Sequence, residues 1–357
     1  MTNKVKHAVV MAGGTGGHIF PGLAVAEQLI AQGWTVSWLG TADRMEAQLV
    51  PKQGIEIDFI EIKGVRNKGF IRKLLTPFMV LQAICQALRI LSKRKADVVL
   101  GFGGYAAMPG GIAAKILAKP LLIHEQNAAA GLTNRLLSKV ANTTLVAFGK
   151  TKGLKRGCPV VGNPVRSSIK LTEKQQAEHQ LRFLVVGGSL GAQVLNQQVP
   201  LAVKQLESQG LMVSVVHQTG KGNLAAVQQA YADVQSQVEV VEFIDDMAAA
   251  YQAADLVICR AGALTVSELA LAGMPSILVP LPHAVDDHQT KNAQILVDAE
   301  AGILLPQPAL LEGKLAGHLT ELIELPNLLP TMASNCQKVA VTDSSIRVSQ
   351  YVKDLVS

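Results

Sequence analysis

Apolar and polar positions along the chain alternate in a regular way. Short, continuously apolar runs are each followed by a helix-length stretch of mixed character, and Ala8-Val9-Val10-Met11 and Phe183-Leu184-Val185-Val186 are typical runs. An unbroken apolar run suits a strand of a parallel sheet whose two faces are both covered by helices. The pattern predicts strands at His7–Ala12, Thr35–Gly40, Ile57–Ile60, Asp97–Gly101, Pro120–His124 and Thr143–Val146. After Asn163-Pro164-Val165-Arg166 it restarts, with strands at Arg182–Val186, Met212–His217, Val238–Val241, Asp255–Cys259, Pro275–Val279 and Gly302–Leu305. Alternating strand–helix units imply an α/β protein with open, doubly wound sheets.

The two halves begin alike. His7–Ala12 runs into Gly13-Gly14-Thr15-Gly16-Gly17, and Phe183–Val186 runs into Gly187-Gly188-Ser189-Leu190-Gly191. In both, a buried strand meets a glycine turn with one hydroxyl residue and then a helix. The chain of 357 residues is also about two domains long at roughly 150 residues each. The expected plan is therefore two Rossmann-like domains, 1–162 and 163–331, whose parallel sheets face a central ligand cleft. The remaining segment, 332–357, reads as helical without a strand and is expected to pack back across the hinge.

Composition narrows the class. Apolar residues make up 49% and charged residues 17% of the chain, enough to fill two cores and too little charge for a disordered one. No apolar run reaches the roughly 20 residues that a spanning helix needs, and the opening residues leave no room for a secretory leader. The four cysteines, Cys85, Cys158, Cys259 and Cys336, form no CxxC pair, which fits a reducing cytosol. The net charge of +6 is uneven: +13 through Val165 and −7 beyond it. Between Glu61 and Asp97 there is no acid, while Lys63, Arg66, Lys68, Arg72, Lys73, Arg89, Lys93, Arg94 and Lys95 are interleaved with Phe70, Phe78, Leu81 and other apolar residues. Such a mixture suits an anionic bilayer surface. Aromatic residues are only 4% of the chain and no RNA-binding or zinc-finger signature is present, so nucleic acid is not the expected partner.

Glycine turns let backbone N–H groups approach an anion or a sugar, and a helix N-terminus adds positive potential. Neither turn is a dinucleotide fingerprint, because Ile19 stands where the third glycine is required, and neither carries a P-loop lysine. Gly101-Phe102-Gly103-Gly104-Tyr105 lies at the same predicted sheet edge, with His18 and His124-Glu125-Gln126-Asn127 at neighbouring loop or strand ends. In the second half, Cys259-Arg260-Ala261-Gly262-Ala263-Leu264-Thr265-Val266-Ser267-Glu268 opens a helix, and Glu268 can accept two hydrogen bonds from a ribose diol. Asp286, Asp287 and His288 are consecutive and cannot converge on one ion, so no metal site is expected.

Together these motifs, with Gly162-Asn163-Pro164-Val165-Arg166, Phe243-Ile244-Asp245-Asp246-Met247 and Asp287-His288-Gln289, occur in the order of one family. The chain resembles the MurG family of peptidoglycan N-acetylglucosaminyltransferases. That resemblance implies the GT-B glycosyltransferase fold and an inverting hexosyltransferase with no cofactor. The reaction would move N-acetylglucosamine from UDP-N-acetylglucosamine to the C4 hydroxyl of the muramyl sugar of lipid I, an undecaprenyl-diphosphate muramyl pentapeptide, giving lipid II and UDP. On the present residues it places Ile244 near uracil, Glu268 on the ribose, Ser189 and Arg166 near the diphosphate, and Ala263, Leu264, Thr265, Val266 and Ser267 around the nucleotide. Gln289 would reach the sugar, and Thr15, Gly16, Gly17 and Asn127 would close on the donor. Gly103, Gly104, Tyr105 and His124 would frame the acceptor. A neutral imidazole suits proton removal at pH 7, so His18 is the leading general base, with Glu125 and His124 in reserve. The same resemblance implies a peripheral location on the cytoplasmic face of the bacterial inner membrane and partners among cell-wall synthesis and division proteins. The alternatives are a UDP-sugar 2-epimerase of the same architecture and a non-catalytic sugar-nucleotide-binding protein.

Overall fold

A computed structural model describes residues 5–62, 70–171, 180–188, 191–282 and 287–357. The chain divides into two compact units, Met1–Arg166 with Asp343–Ser357, and Ser167–Thr342. Each is built on one six-stranded parallel sheet. The first contains β1 (His7–Ala12), β2 (Thr35–Gly40), β3 (Glu56–Phe59), β4 (Val98–Gly103), β5 (Leu121–Glu125) and β6 (Thr143–Val146), in the order β3-β2-β1-β4-β5-β6. The second contains β7 (Arg182–Val186), β8 (Ser214–Gln218), β9 (Gln237–Val241), β10 (Leu256–Cys259), β11 (Ser276–Leu278) and β12 (Gly302–Leu304), in the order β12-β11-β10-β7-β8-β9. Counted from its own first strand, the second sheet repeats the order of the first. In both, the winding reverses beside the first strand, between β1 and β4 and between β7 and β10. Ligands of open α/β sheets bind at the carboxyl ends of such strand pairs.

All twelve expected strands are present; four keep the expected ends and eight differ by one or two residues. The end of β4 has a specific cause: the register shifts between Met11 and Ala12, so Ala12 pairs with Gly103 and the strand runs two residues past Gly101. Helices α1 (Gly16–Ala31), α2 (Glu46–Leu49), α3 (Phe70–Lys93), α4 (Ala107–Ile116) and α5 (Leu132–Leu137) belong to the first unit. The second holds α6 (Gln193–Ser208), α7 (Leu224–Ala230), α8 (Met247–Ala253), α9 (Ala263–Ala272), α10 (His288–Asp298), α11 (Gln307–Leu311), α12 (Lys314–Glu324) and α13 (Leu328–Cys336). Helix α14 (Ser344–Asp354) closes the chain and lies in the first unit.

Packing fixes where α1 begins, and hence the glycine turn before it. Ile19, Val25, Ala26 and Leu29 recur at helical spacing and are fully buried, each larger side chain worth ~1.5–3 kcal/mol in transfer from water. A Cβ on Gly22 would lie 2.7 Å from the Trp38 ring, so glycine lets α1 approach β2 closely. The Trp38 indole N–H donates to the Ala12 carbonyl at 2.8 Å, pinning the last residue of β1. The chain's end contributes to the same core. Val348 and Val352 of α14 join Val25, Leu29 and Trp34, and Lys6 Nζ donates to Val356 O at 2.7 Å. The expected segment 332–357 is thus split, because Met332 packs into the second unit's core and the division between units falls after Thr342 rather than at 331.

Candidate active site

In the second unit, the turn after β7 is held from below. Ser189 and Leu190 lie outside the described residues. Gln218, at the end of β8 and almost fully buried, takes Gly188 N–H on Oε1 at 3.0 Å and returns Nε2–H to Gly188 O at 3.0 Å. Gly191 has φ +76°, and a Cβ there would stand 2.1 Å from Thr219 O, so only glycine fits. Beneath lies a closed polar chain. Tyr231 O–H donates to His217 Nδ1 (2.9 Å), His217 Nε2–H to Asn196 Oδ1 (3.1 Å), and Asn196 Nδ2–H to Thr219 O (3.1 Å). Burial lowers the His217 pKa to about 4, so its ring is neutral. Helix α6 starts just past the turn without a side-chain cap, leaving its first N–H groups for a ligand.

Beside that turn, after β10, stands Arg260. It lines a cavity of about 490 Å³ shared with Gly191, Gln193, Leu281, Gln289 and Gln307, a size that takes a small-molecule ligand. Its guanidinium donates to Val279 O (3.2 Å), Pro280 O (3.0 Å) and Gln307 Oε1 (3.0 Å). All three acceptors are neutral, and burial lowers the arginine's pKa from its usual value, yet an arginine stays charged. The cavity thus offers a cation suited to an anionic ligand. Gln289 accepts Leu281 N–H on Oε1 at 2.8 Å, which leaves its amide hydrogens as donors.

Helix α9 carries the rest of the expected donor set. Glu268 is buried and accepts the Tyr251 hydroxyl at 3.2 Å. Burial, and secondarily the Glu268 charge, push the Cys259 thiol up to about 12. Leu264, Thr265 and Ser267 are half-buried, as is Ile244. Ala263 opens the helix after Gly262. The Val266 side chain sits in the core at 1% exposure, so its part in the expected set is through its backbone.

In the first unit, Thr15 precedes α1, whose first residues are Gly16, Gly17 and His18. His18 Nδ1–H donates to Gly13 O at 3.1 Å, since a carbonyl can only accept. In the neutral ring the lone pair then sits on Nε2, the form a general base needs. The Gly103–Gly104 turn after β4 packs on this corner. A Cβ on Gly103 would lie 2.9 Å from the His18 ring, and one on Gly104 2.4 Å from Gly13 O. Tyr105, exposed beside them, lies under the Arg44 guanidinium, 5.8 Å from its ring centre.

Two expected roles change. His124 is fully buried; its Nε2–H donates to Gly162 O at 2.9 Å and its Nδ1 accepts from Gln126 Nε2 at 3.3 Å. Burial lowers its pKa to about 4, so it is a neutral core histidine that reaches neither acceptor nor proton. Glu125 accepts from Asn127 N (2.9 Å), Asn127 Nδ2 (3.2 Å), Gly131 N (3.1 Å) and Asn134 Nδ2 (2.9 Å). A carboxylate so committed shapes the loop that presents Asn127 and is no reserve base. Arg166 is the last residue of the first unit before the division, its guanidinium 5.1 Å from the ring centre of Phe20 on α1, so the boundary expected at 162/163 falls after 166.

Glu46 and Gln218, which hold the two glycine turns, and Arg260, which lines the cavity, are residues that sequence reasoning left without a role. Arg260 had a signal, as the first residue after a strand on the ligand edge. Glu46 and Gln218 had none, for nothing local separates Glu46 from Asp43. Among the described residues no cluster of three His, Cys, Asp or Glu side chains is placed to hold a metal ion; His283 and Asp286 lie outside them.

Two glycine turns stand at two matching switch points, one beside a cavity with a cation and one beside an imidazole, and sequence comparison gives the class: a glycosyltransferase. Residues 8–146 match the glycosyltransferase family 28 N-terminal domain and residues 182–348 match its C-terminal domain. The UDP-N-acetylglucosamine–N-acetylmuramyl-(pentapeptide) pyrophosphoryl-undecaprenol N-acetylglucosamine transferase of Shewanella oneidensis is 54% identical over 98% of both chains. The crystal structure of Acinetobacter baumannii MurG is 44% identical, with a TM-score of 0.86 over 98% of this chain and 99% of that one. The chain belongs to the MurG family, with its two Rossmann-like domains in the GT-B class. The UDP-GlcNAc 2-epimerase of Neisseria meningitidis, 15% identical with a TM-score of 0.66 over 98% of this chain and 100% of that one, shares the fold alone.

Proposed function

We propose that the chain transfers N-acetylglucosamine from UDP-N-acetylglucosamine to the C4 hydroxyl of the muramyl sugar of undecaprenyl-diphosphate muramyl pentapeptide, forming lipid II and UDP. The observation that carries this reading is the full-length likeness to transferases of that name, joined to a cavity whose polar groups suit a nucleotide diphosphate and a sugar. The second unit takes the donor. Glu268 holds the ribose, Ile244 and the start of α9 flank the base, and Gln289 donates to the sugar. The N-terminus of α6 and Arg260 face the diphosphate, as fixed charges that stabilise the departing UDP. Ser189, which lies outside the described residues, keeps its expected place near the diphosphate.

The first unit takes the acceptor. The muramyl O4–H bond breaks as its proton passes to His18 Nε2, the new O4–C1 bond forms, and the C1–O bond to UDP breaks with its electron pair leaving on the diphosphate. An α-linked donor thereby gives a β-linked product. Thr15, Gly16, Gly17 and Asn127 belong to this unit and keep their expected part of closing on the donor, with Tyr105 at the rim of the acceptor corner and Arg166 stacked on Phe20.

The acceptor is lipid-anchored, so the enzyme works at the cytoplasmic membrane surface as a peripheral protein. No described helix is long and apolar enough to cross a membrane. The surface that supports docking is α3, where Ala83, Ala87 and Leu91 pack inward while Phe78 (71%) and Leu81 (60%) are exposed, with Arg89 and Lys93 further along. Arg94 leaves this set because it pairs with Asp58 and Glu56. Lys63, Arg66 and Lys68 lie outside the described residues, as do the side chains of Arg72 and Lys73. Partners in cell-wall synthesis and division follow from the same reading, and no residue is assigned to them.

The test is acceptor-dependent turnover. UDP should appear from UDP-N-acetylglucosamine only when a lipid I analogue is present, together with a β-linked disaccharide product. A 2-epimerised nucleotide or free sugar formed without acceptor would instead identify an epimerase, and tight nucleotide binding with no turnover a sensor.

A further inference from the structure

We propose that Glu46 is a positioning residue for His18, an anion set beneath the first glycine turn that fixes the imidazole and favours its protonated form as the acceptor hydroxyl attacks. This rests on the reading of His18 as general base. Glu46 is fully buried. Its Oε2 accepts Gly14 N–H at 2.9 Å, and its Oε1 accepts Thr41 N–H at 3.1 Å and the Thr41 hydroxyl at 2.8 Å. No cation is among these partners. An ionised carboxylate buried on neutral donors alone is expensive, and a turn that needed only an acceptor could use a neutral one. The second unit shows this. There the corresponding turn is held at Gly188 by Gln218, an amide, from the end of the strand next to β7.

The route from Glu46 to the imidazole is short and rigid. A Cβ on Gly13 would lie 2.4 Å from Glu46 Oε1, so the carboxylate touches the backbone of the very residue whose carbonyl accepts His18 Nδ1–H. The loop that delivers Glu46 also carries Arg44 over Tyr105, and Gly104 packs on Gly13. One loop thus braces both sides of the acceptor corner. The charge has a second effect: an anion at the base of this turn supports the imidazolium that forms on proton transfer. Glu46 itself takes no proton in the step.

The experiment is Glu46→Gln in the full chain, assayed with UDP-N-acetylglucosamine and a soluble lipid I analogue. The amide must turn one pair of hydrogens toward Gly14 N–H or Thr41, so the turn loosens while the volume stays the same. The expected result is a loss of roughly tenfold or more in kcat with the donor KM within about twofold, because the groups assigned to the nucleotide's base and ribose, Ile244 and Glu268, lie in the other unit. The acid limb of the kcat profile should move to lower pH by about half a unit, since removing an anion near an imidazole lowers its pKa. A kcat within about twofold of wild type, an acid limb that stays in place, or a donor KM rising in step with the loss would overturn the proposal. Should the variant fail to fold in a thermal melt, Thr41→Val decides. It removes one bond to Oε1 and keeps the charge, so kcat should fall several-fold with the acid limb unmoved, and an unchanged kcat overturns the proposal. Wild-type protein that shows no transfer would sink the function reading instead, which separates the two failures.

Discussion

Replacing Arg260 with alanine isolates the cation of the donor cavity. Hydrogen bonds to a charged group contribute ~1.5–3 kcal/mol, and partial exposure screens the charge, which favours the lower part of that range. At about 1.4 kcal/mol per tenfold, a loss of ~1.5–2 kcal/mol weakens UDP binding by roughly 10- to 30-fold. The same charge meets a more negative diphosphate in the transition state, so kcat should also fall rather than KM alone rising. The structural cost is separable. Val279 O, Pro280 O and Gln307 Oε1 lose their donor, but they border an open cavity and water can replace it, so the melting temperature should move by a few degrees at most. Arg260→Lys keeps the charge without the planar fork that spans two carbonyls and an amide, and should fall between wild type and alanine. Calorimetry of UDP binding is the deciding assay. Affinity in Arg260→Ala within about twofold of wild type would show that the cation serves only to tie β11 to the start of α11, and the diphosphate assignment would fail.

Four further outcomes follow from the same geometry. His18→Ala should lower kcat by about 10²–10⁴, the usual span for a general base, with donor affinity unchanged in calorimetry; an unchanged kcat removes His18 from the role. Glu268→Ala should cut UDP affinity about tenfold while leaving acceptor-side behaviour intact, and full-strength UDP binding would refute the ribose assignment. Changing Phe78 and Leu81 to serine, with Arg89 and Lys93 to glutamine, should abolish co-sedimentation with anionic vesicles; retained binding at moderate salt rejects α3 as the docking surface. His124 and His217 are held neutral down to about pH 4, below their ordinary value of about 6.5. Their protons are therefore taken up by the unfolded chain first, so stability is intact above about pH 6.5 and falls as pH drops toward 4. Each histidine contributes a slope of up to about 1.4 kcal/mol per pH unit in that window, and denaturant melts of His217→Asn between pH 4 and 7 should show a shallower slope than wild type.

The fold was legible because its signal is redundant. Runs such as Ala8–Met11 and Phe183–Val186 can be little else than strands buried on both faces, and twelve of them punctuated by glycine turns leave few topologies. The turns were legible too, as were His18 and the Arg260–Glu268 run, because they fall at strand ends on one edge. What stayed hidden depends on contacts across sequence distance. His124 and Glu125 look like site chemistry in His124-Glu125-Gln126-Asn127, but β5 is interior to its sheet and turns His124 into the core, while Glu125 is consumed by the loop it shapes. The stacking of Arg166 on Phe20 could not be read from a residue that sits between two halves in sequence.

The near-identity of the two sheets sharpens what sequence likeness alone conceals. Both glycine turns follow the first strand of the same topology, and each is fastened through a backbone N–H by a side chain that comes after or at the end of the neighbouring strand, Glu46 for Gly14 and Gln218 for Gly188. The two differ in charge, and Gln218 also donates back to Gly188 O where Glu46 can only accept. A carboxylate beneath a turn lowers the potential at its N–H groups and disfavours a phosphate there, whereas an amide leaves the positive field of turn and helix intact. On the proposed function the neutral latch accompanies the turn beside Arg260 and its cavity, where the diphosphate would be held, and the anionic latch the turn beside His18, where the proton would be received. Exchanging them tests the division directly: Gln218→Glu should weaken UDP binding by more than Gln218→Ala does, because it adds repulsion to the lost latch. Equal effects from the two substitutions would show that the latches differ without electrostatic consequence.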